Sequence, residues 1–170
     1  MPLKQNLARN RSRGFTLIEV LVSMIILAVG LLGIAGLQTM GLRNNQSALL
    51  RSQATLCAYD MSDRMRTNSQ GFYADNYDEP ASTAVTNCES TTGCSPSEMA
   101  TNDMSAWSTV LSNTLPAGAG IVCLDSTPDD GDSNASPACD GTGSTYAIKI
   151  WWQDDRGNPG TLQRFVVSYL

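Results

Sequence analysis

Gly14-Phe15-Thr16-Leu17-Ile18-Glu19-Val20-Leu21-Val22-Ser23-Met24-Ile25-Ile26-Leu27-Ala28-Val29-Gly30-Leu31-Leu32-Gly33-Ile34-Ala35-Gly36-Leu37 is the stretch that decides the fold. From Phe15 to Leu37 it is almost wholly apolar. As a helix rising about 1.5 Å per residue it is long enough to cross a bilayer core of about 30 Å. Lys4, Arg9, Arg11 and Arg13 precede it, with no acid among them. That basic flank places residues 1–14 inside and the C-terminal part outside the cytoplasm. One carboxylate, Glu19, interrupts the apolar run. A charge there is expensive in lipid, so it marks a functional position with a partner still to be found.

The 170 residues suffice for one small domain plus an anchor. The net charge is −5; without the four basic leader residues, seven basic face sixteen acidic residues, a net −9. Such a surface excludes broad electrostatic binding of nucleic acid. Histidine is absent, which removes the commonest general base and transition-metal ligand. No paired-carboxylate, triad, phosphate-loop or dinucleotide pattern occurs, so neither an enzyme nor a cofactor is expected.

Gly30, Gly33 and Gly36 recur every third residue, near one helix face. They make either a soft spot or a face where another helix comes close. Beyond Leu42 the helix turns amphipathic. Leu50, Ala54, Cys57, Met61 and Met65 form one stripe, and Asp60–Arg64 and Asp63–Arg66 are spaced as ion pairs. The helix is expected to end near Asn68–Gly71.

Residues 72–95 read as loop. Ser95-Pro96-Ser97-Glu98 then starts a second helix, with a serine cap, proline at the first position and glutamate at the third, running to about Asn113. Ile121–Leu124, Thr145–Gln153 and Thr161–Tyr169 read as strands; turn residues Asp154–Gly160 join the last two into a hairpin. Trp151 and Trp152 alternate, so only one can face the helix. The fold class is α+β: a long helix against a small antiparallel sheet. Residues 1–14 form a leader, 15–42 the apolar half of the long helix, 43–70 its amphipathic half, and 71–170 the head.

Five cysteines in an exported domain indicate disulfides. Short loops favour Cys88–Cys94 and Cys123–Cys139, leaving Cys57 free; pairing of Cys57 with Cys88 or another cysteine is the alternative. No metal site is expected. Asp125 to Asn134 is rich in oxygen ligands, but Ala135 stands where a calcium loop needs glycine and no glutamate closes it, so a solvated loop stapled by a disulfide is the expectation.

Gly14 before an apolar residue, Thr16-Leu17-Ile18-Glu19 and the apolar helix together resemble the N-terminus of a type IV prepilin. The resemblance implies the pilin fold, cleavage by a prepilin peptidase between Gly14 and Phe15, N-methylation of Phe15, and docking of a neighbour's N-terminus on Glu19. Leu31–Gln38, Ala58–Asn68, Trp107 with Leu115-Pro116-Ala117-Gly118, and Trp151-Trp152 resemble PilV-type minor pilins, the type IV pilus modification proteins. That subgroup implies a low-abundance subunit priming pilus assembly at the tip, supporting twitching motility and adhesion. Its implied partners are other minor pilins, the major pilin, the peptidase, the inner-membrane assembly platform and a tip adhesin. It would be a single-pass inner-membrane protein with a periplasmic head, moving later into the pilus. The alternatives are a minor pseudopilin of a type II secretion system, a DNA-uptake pilus subunit, and a membrane-anchored periplasmic binding protein, enzyme or adhesin.

Overall fold

The computed structural model describes residues 14–154 and 160–169. The leader and most of the Asp154–Gly160 turn lie outside the described residues. The chain divides into two compact units, Met1–Asn44 and Asn45–Leu170.

Helix α1 runs from Leu17 to Thr67. It is one unbroken helix because nothing between Thr16 and Asn68 stops it: no proline occurs there, and the glycines are separated by strong apolar helix formers. In the first unit its apolar side chains are exposed, with Leu17 at 84 % and Leu32 at 73 %. This portion is long and apolar enough to cross a membrane.

The second unit buries the other face pattern. Leu50, Ala54, Cys57, Ala58, Met61 and Met65 are all core residues, which is the stripe expected from their spacing. A short helix α2 follows, Ser69–Tyr73, capped by the Asn68 side chain accepting from Gly71 N. A 3₁₀ turn over Thr86–Glu89 occupies the segment read as loop and carries Cys88. Helix α3, Pro96–Thr114, begins with the expected capping box: Glu98 N donates to Ser95 Oγ and Ser95 N donates to Glu98 Oε2.

Strands β1 (Ala119–Leu124), β2 (Tyr146–Gln153) and β3 (Leu162–Tyr169) form an antiparallel sheet in the order β1-β2-β3. The strand β1 starts two residues earlier than its apolar pattern suggested. Gly120 makes that possible: a Cβ there would lie 2.5 Å from the Trp107 ring. The Trp107 indole packs against this bare backbone, and its Nε1 donates to Cys57 O at 2.8 Å, joining α3 to α1.

Two contacts fix the direction of α1 on the sheet. Ser47 Oγ donates to Asp154 Oδ2 (2.6 Å), at the end of β2, and Arg66 Nε donates to Tyr169 OH (3.2 Å), at the end of β3. The nineteen residues from Ser47 to Arg66 rise about 28 Å, and the eight from Tyr146 to Asp154 about 27 Å. The helix therefore runs along the strands, parallel to β3.

Candidate functional site

The N-terminal end of α1 carries the residues singled out by sequence. Thr16 is the cap, and Glu19 N approaches its Oγ1 at 3.4 Å and its carbonyl at 3.1 Å. Thr16-Leu17-Ile18-Glu19 thus has capping-box spacing, with Glu19 at the third helical position. A carboxylate in the first turn complements the helix dipole. Phe15 and Glu19 are both exposed. Around Gly30, Gly33 and Gly36, nothing lies within 4 Å of where a Cβ would stand. Among the described residues, the small size of these glycines serves no packing.

The second unit holds two polar clusters, of which sequence spacing foresaw only the Asp60–Arg64 pair. The first joins α1, α3 and the Tyr77 loop. Asp103, on α3, is 7 % exposed. It accepts from Tyr77 OH at 2.5 Å and pairs with Arg64 at 3.4 Å, while Arg64 also pairs with Asp60 at 3.0 Å. Asn68 Nδ2 bridges Tyr77 OH and Pro96 O. Burial, then the bond to Asp103, pushes the Tyr77 hydroxyl far above its ordinary pKa, so it is always a donor. Residues 60–68, within the Ala58–Asn68 stretch that resembles the PilV type, therefore form the polar seam between long helix and head. The Asp63–Arg66 ion pair expected from spacing does not form. Arg66 turns instead to the Tyr169 ring, 5.9 Å from its centroid.

The second cluster is built on Lys149. The alternation of β2 puts Tyr146, Ile148, Ile150 and Trp152 in the core and Ala147, Lys149 and Trp151 on the opposite face. Both tryptophans are buried, at 1 % each. Trp152 joins the helix-side core. Trp151 lies on the Lys149 face, where the segment 125–140 folds back: Lys149 Nζ lies 2.5 Å from Asp125 Oδ2, 2.7 Å from Asp130 Oδ1 and 2.8 Å from Pro137 O. The Asp125 contact is an ion pair without hydrogen-bond angles; Asp125 Oδ1 accepts from Thr127 N. Arg164, on β3, donates to Gly131 O and to Asp129. The Cys123–Cys139 disulfide staples the largely exposed loop as expected, and charge ties it down as well: Asp125 and Asp130 face the buried Lys149 ammonium, while exposed Asp129 pairs with the Arg164 guanidinium.

The disulfides are Cys88–Cys94 and Cys123–Cys139, and Cys57 is free and buried. Asp125 lies close to Cys123 and Cys139, but those sulfurs are bonded to each other and have no thiolate to offer a metal. Burial and Asp60 push the Cys57 thiol up, so it stays protonated and a poor nucleophile. The groove beside α1 is lined by Asp60, Asp63, Arg64, Asn68 and Asp103. Its Asp60, Arg64, Asn68 and Asp103 bind one another or Tyr77, and nothing in it is arranged as a nucleophile with a base.

Residues 9–35 match the family model of the prokaryotic N-terminal methylation motif, and residues 36–105 match that of the type IV pilin Tt1218. Neither a curated protein nor a solved structure matches the chain significantly. The pilin family is structural and not an enzyme family. The methylation motif and the apolar helix fit a membrane-anchored subunit, and pilins in general assemble with other pilins after processing by a prepilin peptidase. With two contiguous matches at its N-terminus, one long helix and a small antiparallel sheet, the chain belongs to the type IV pilins.

Proposed function

We propose that this pilin is a minor subunit of the PilV type, which joins other minor pilins in priming pilus assembly at the tip and supports twitching motility and adhesion. The observation that carries this reading is the division of labour along α1. Its first part exposes apolar side chains and bare glycines that no other described residue covers. Its second part, through Asp60 and Arg64, is devoted to the head. The Asp60–Asn68 segment is also the strongest point of resemblance to the PilV type. A subunit of this design is stored in the inner membrane with its head in the periplasm. The peptidase cuts between Gly14 and Phe15 and methylates Phe15. Residues 15–42 then form the filament spine, 43–70 the bridge to the head, and 71–170 the head itself.

Glu19 is the docking residue. A carboxylate surrounded by apolar side chains needs a cation, and the Phe15 amine of a neighbouring subunit supplies one. Gly30, Gly33 and Gly36 let a neighbouring helix approach closely. The assembly platform, the major pilin and a tip adhesin complete the set of partners.

Deleting the gene and scoring surface pili, twitching and exoprotein secretion side by side tests the reading. Loss of pili and twitching with intact secretion is the expected result. Intact pili with lost secretion would identify a secretion pseudopilin instead. A Glu19→Ala variant is expected to lose its leader normally but to enter pili poorly; normal incorporation refutes the docking role.

A further inference from the structure

The sheet has two edges, and they are treated differently. The outer edge of β1 is closed: Val122 O accepts from Glu79 N (2.9 Å), Leu124 N donates to Asp78 Oδ1 (2.8 Å), and Leu124 O accepts from Gly141 N (3.1 Å). These bonds also fix the phase of the ladder. Val122 and Leu124 point their backbone groups away from β2, so Ala119, Ile121 and Cys123 bond to Trp151, Lys149 and Ala147. The remaining β2 residues, Tyr146, Ile148, Ile150 and Trp152, bond to Tyr169, Val167, Phe165 and Gln163. It follows that Leu162, Arg164, Val166 and Ser168 turn their N–H and C=O groups outward. Among the described residues no element pairs with them.

An open edge of this length is ordinarily guarded by lysine, proline or a bulge. Strand β3 has no lysine or proline, and its register with β2 is unbroken from Leu162 to Tyr169. Its one charge, Arg164, is spent on the 125–140 segment. Along the same strand the core is incompletely covered: Phe165, Val167 and Tyr169 pack on it but are only partly buried. Exposed Arg66 stands over Tyr169 at the strand's end, a basic spot on an acidic protein.

We propose that the outer edge of β3 accepts a fourth strand from a different subunit of the same assembly: an extended segment with apolar residues at alternate positions and a carboxylate placed to meet Arg66. Backbone bonding to Leu162, Arg164, Val166 and Ser168 supplies affinity, and the partly open row Phe165, Val167, Tyr169 supplies specificity. The occupant is not a second copy of this chain. A closed two-fold dimer through these edges is antiparallel. The second strand of such a dimer would be Leu162–Tyr169 itself, which carries no carboxylate to meet Arg66. The partner's identity as an assembly subunit rests on the pilin reading above; the open edge does not.

The test uses the full chain in its native cells, with a photo-activated cross-linking residue at Ser168, which is exposed on β3, and a control at Tyr73, exposed on α2. Expected is one cross-linked product at position 168, identified by mass spectrometry as another pilus subunit, and none of it at position 73. Val166→Pro removes one outward N–H without touching the bonds to β2, since proline is tolerated on an edge facing away from the ladder. Loss of one bond with steric exclusion lowers the cross-link yield about tenfold. Val166→Thr keeps the N–H and the β-branched shape and retains the yield; it serves as the folded control if the proline variant melts early. A self-cross-linked dimer, equal labelling at both positions, or an unchanged yield in a folded Val166→Pro variant overturns the proposal. A product with a subunit of a secretion apparatus supports the edge pairing and overturns the pilus reading.

Discussion

Replacing Lys149 by methionine tests whether the outer face of the sheet is held by charge. The ammonium and the Asp125 carboxylate are both fully buried, 2.5 Å apart. At an effective dielectric constant of about 20, that separation is worth about 7 kcal/mol of attraction, and removing both ions from water costs several kcal/mol each. The intact pair therefore contributes little net stability. Breaking it is a different matter, because Lys149→Met leaves Asp125 buried with only Thr127 N as a donor. The expected loss is about 3–5 kcal/mol. The double variant Lys149→Met with Asp125→Leu removes both charges and should recover most of that loss. Urea unfolding of the detergent-solubilised protein, followed by tryptophan fluorescence, reads all three chains. A single variant within about 1 kcal/mol of wild type at pH 7, or a double variant as unstable as the single, would refute the reasoning.

Three further outcomes follow from the same packing. Gly120→Ala places a Cβ 2.5 Å from the Trp107 ring and should cost about 1–3 kcal/mol with a visible change in near-UV circular dichroism; a neutral variant would mean the ring does not rest on β1. Ser95→Ala removes the cap of α3 and should cost about 1 kcal/mol in the same urea assay. Acid should weaken the head in a defined window. Hydrogen bonds from the Ser126 hydroxyl and the Thr142 N–H lower Asp140 to about 2, and those from Lys149 and Thr127 lower Asp130. Folded values below the unfolded 3.8 mean stability that is present above about pH 4 and lost as pH falls towards 2; a melting temperature flat across that window would contradict both bonds.

The long helix was legible because its signals are local and periodic. The Leu50–Met65 stripe, the capping box at Ser95 and the alternation of β2 each depend on residues a few positions apart. The 3₁₀ turn at Thr86–Glu89 was not legible, since Thr86-Asn87-Cys88-Glu89 carries no period. Lys149 was missed for a related reason. In Tyr146-Ala147-Ile148-Lys149-Ile150-Trp151 it reads as the ordinary polar side of a half-buried strand. Only a segment returning from 125–140, nine to twenty-four residues upstream of Lys149, makes that side an interior. The available hint was the acidic surplus of Asp125, Asp129 and Asp130 with neither glycine nor glutamate placed for calcium.

That second interior explains how so small a sheet stands between two partners. A three-stranded sheet with one wet face would shed its register easily. Here α1 and α3 cover one face, while Lys149 and Arg164 tie the 125–140 segment over the other. Among the described residues, both layers leave the outer edge of β3 uncovered. The apolar part of α1 is common property of the pilin family and cannot by itself tell one subunit from another. Distinction must come from parts that differ, and in this chain the charged clamp and the edge it leaves free are the parts built from non-periodic residues. If the clamp is what keeps β3 straight enough to accept a strand, Lys149→Met should reduce cross-linking at Ser168 as well as stability, and the double variant should restore both together.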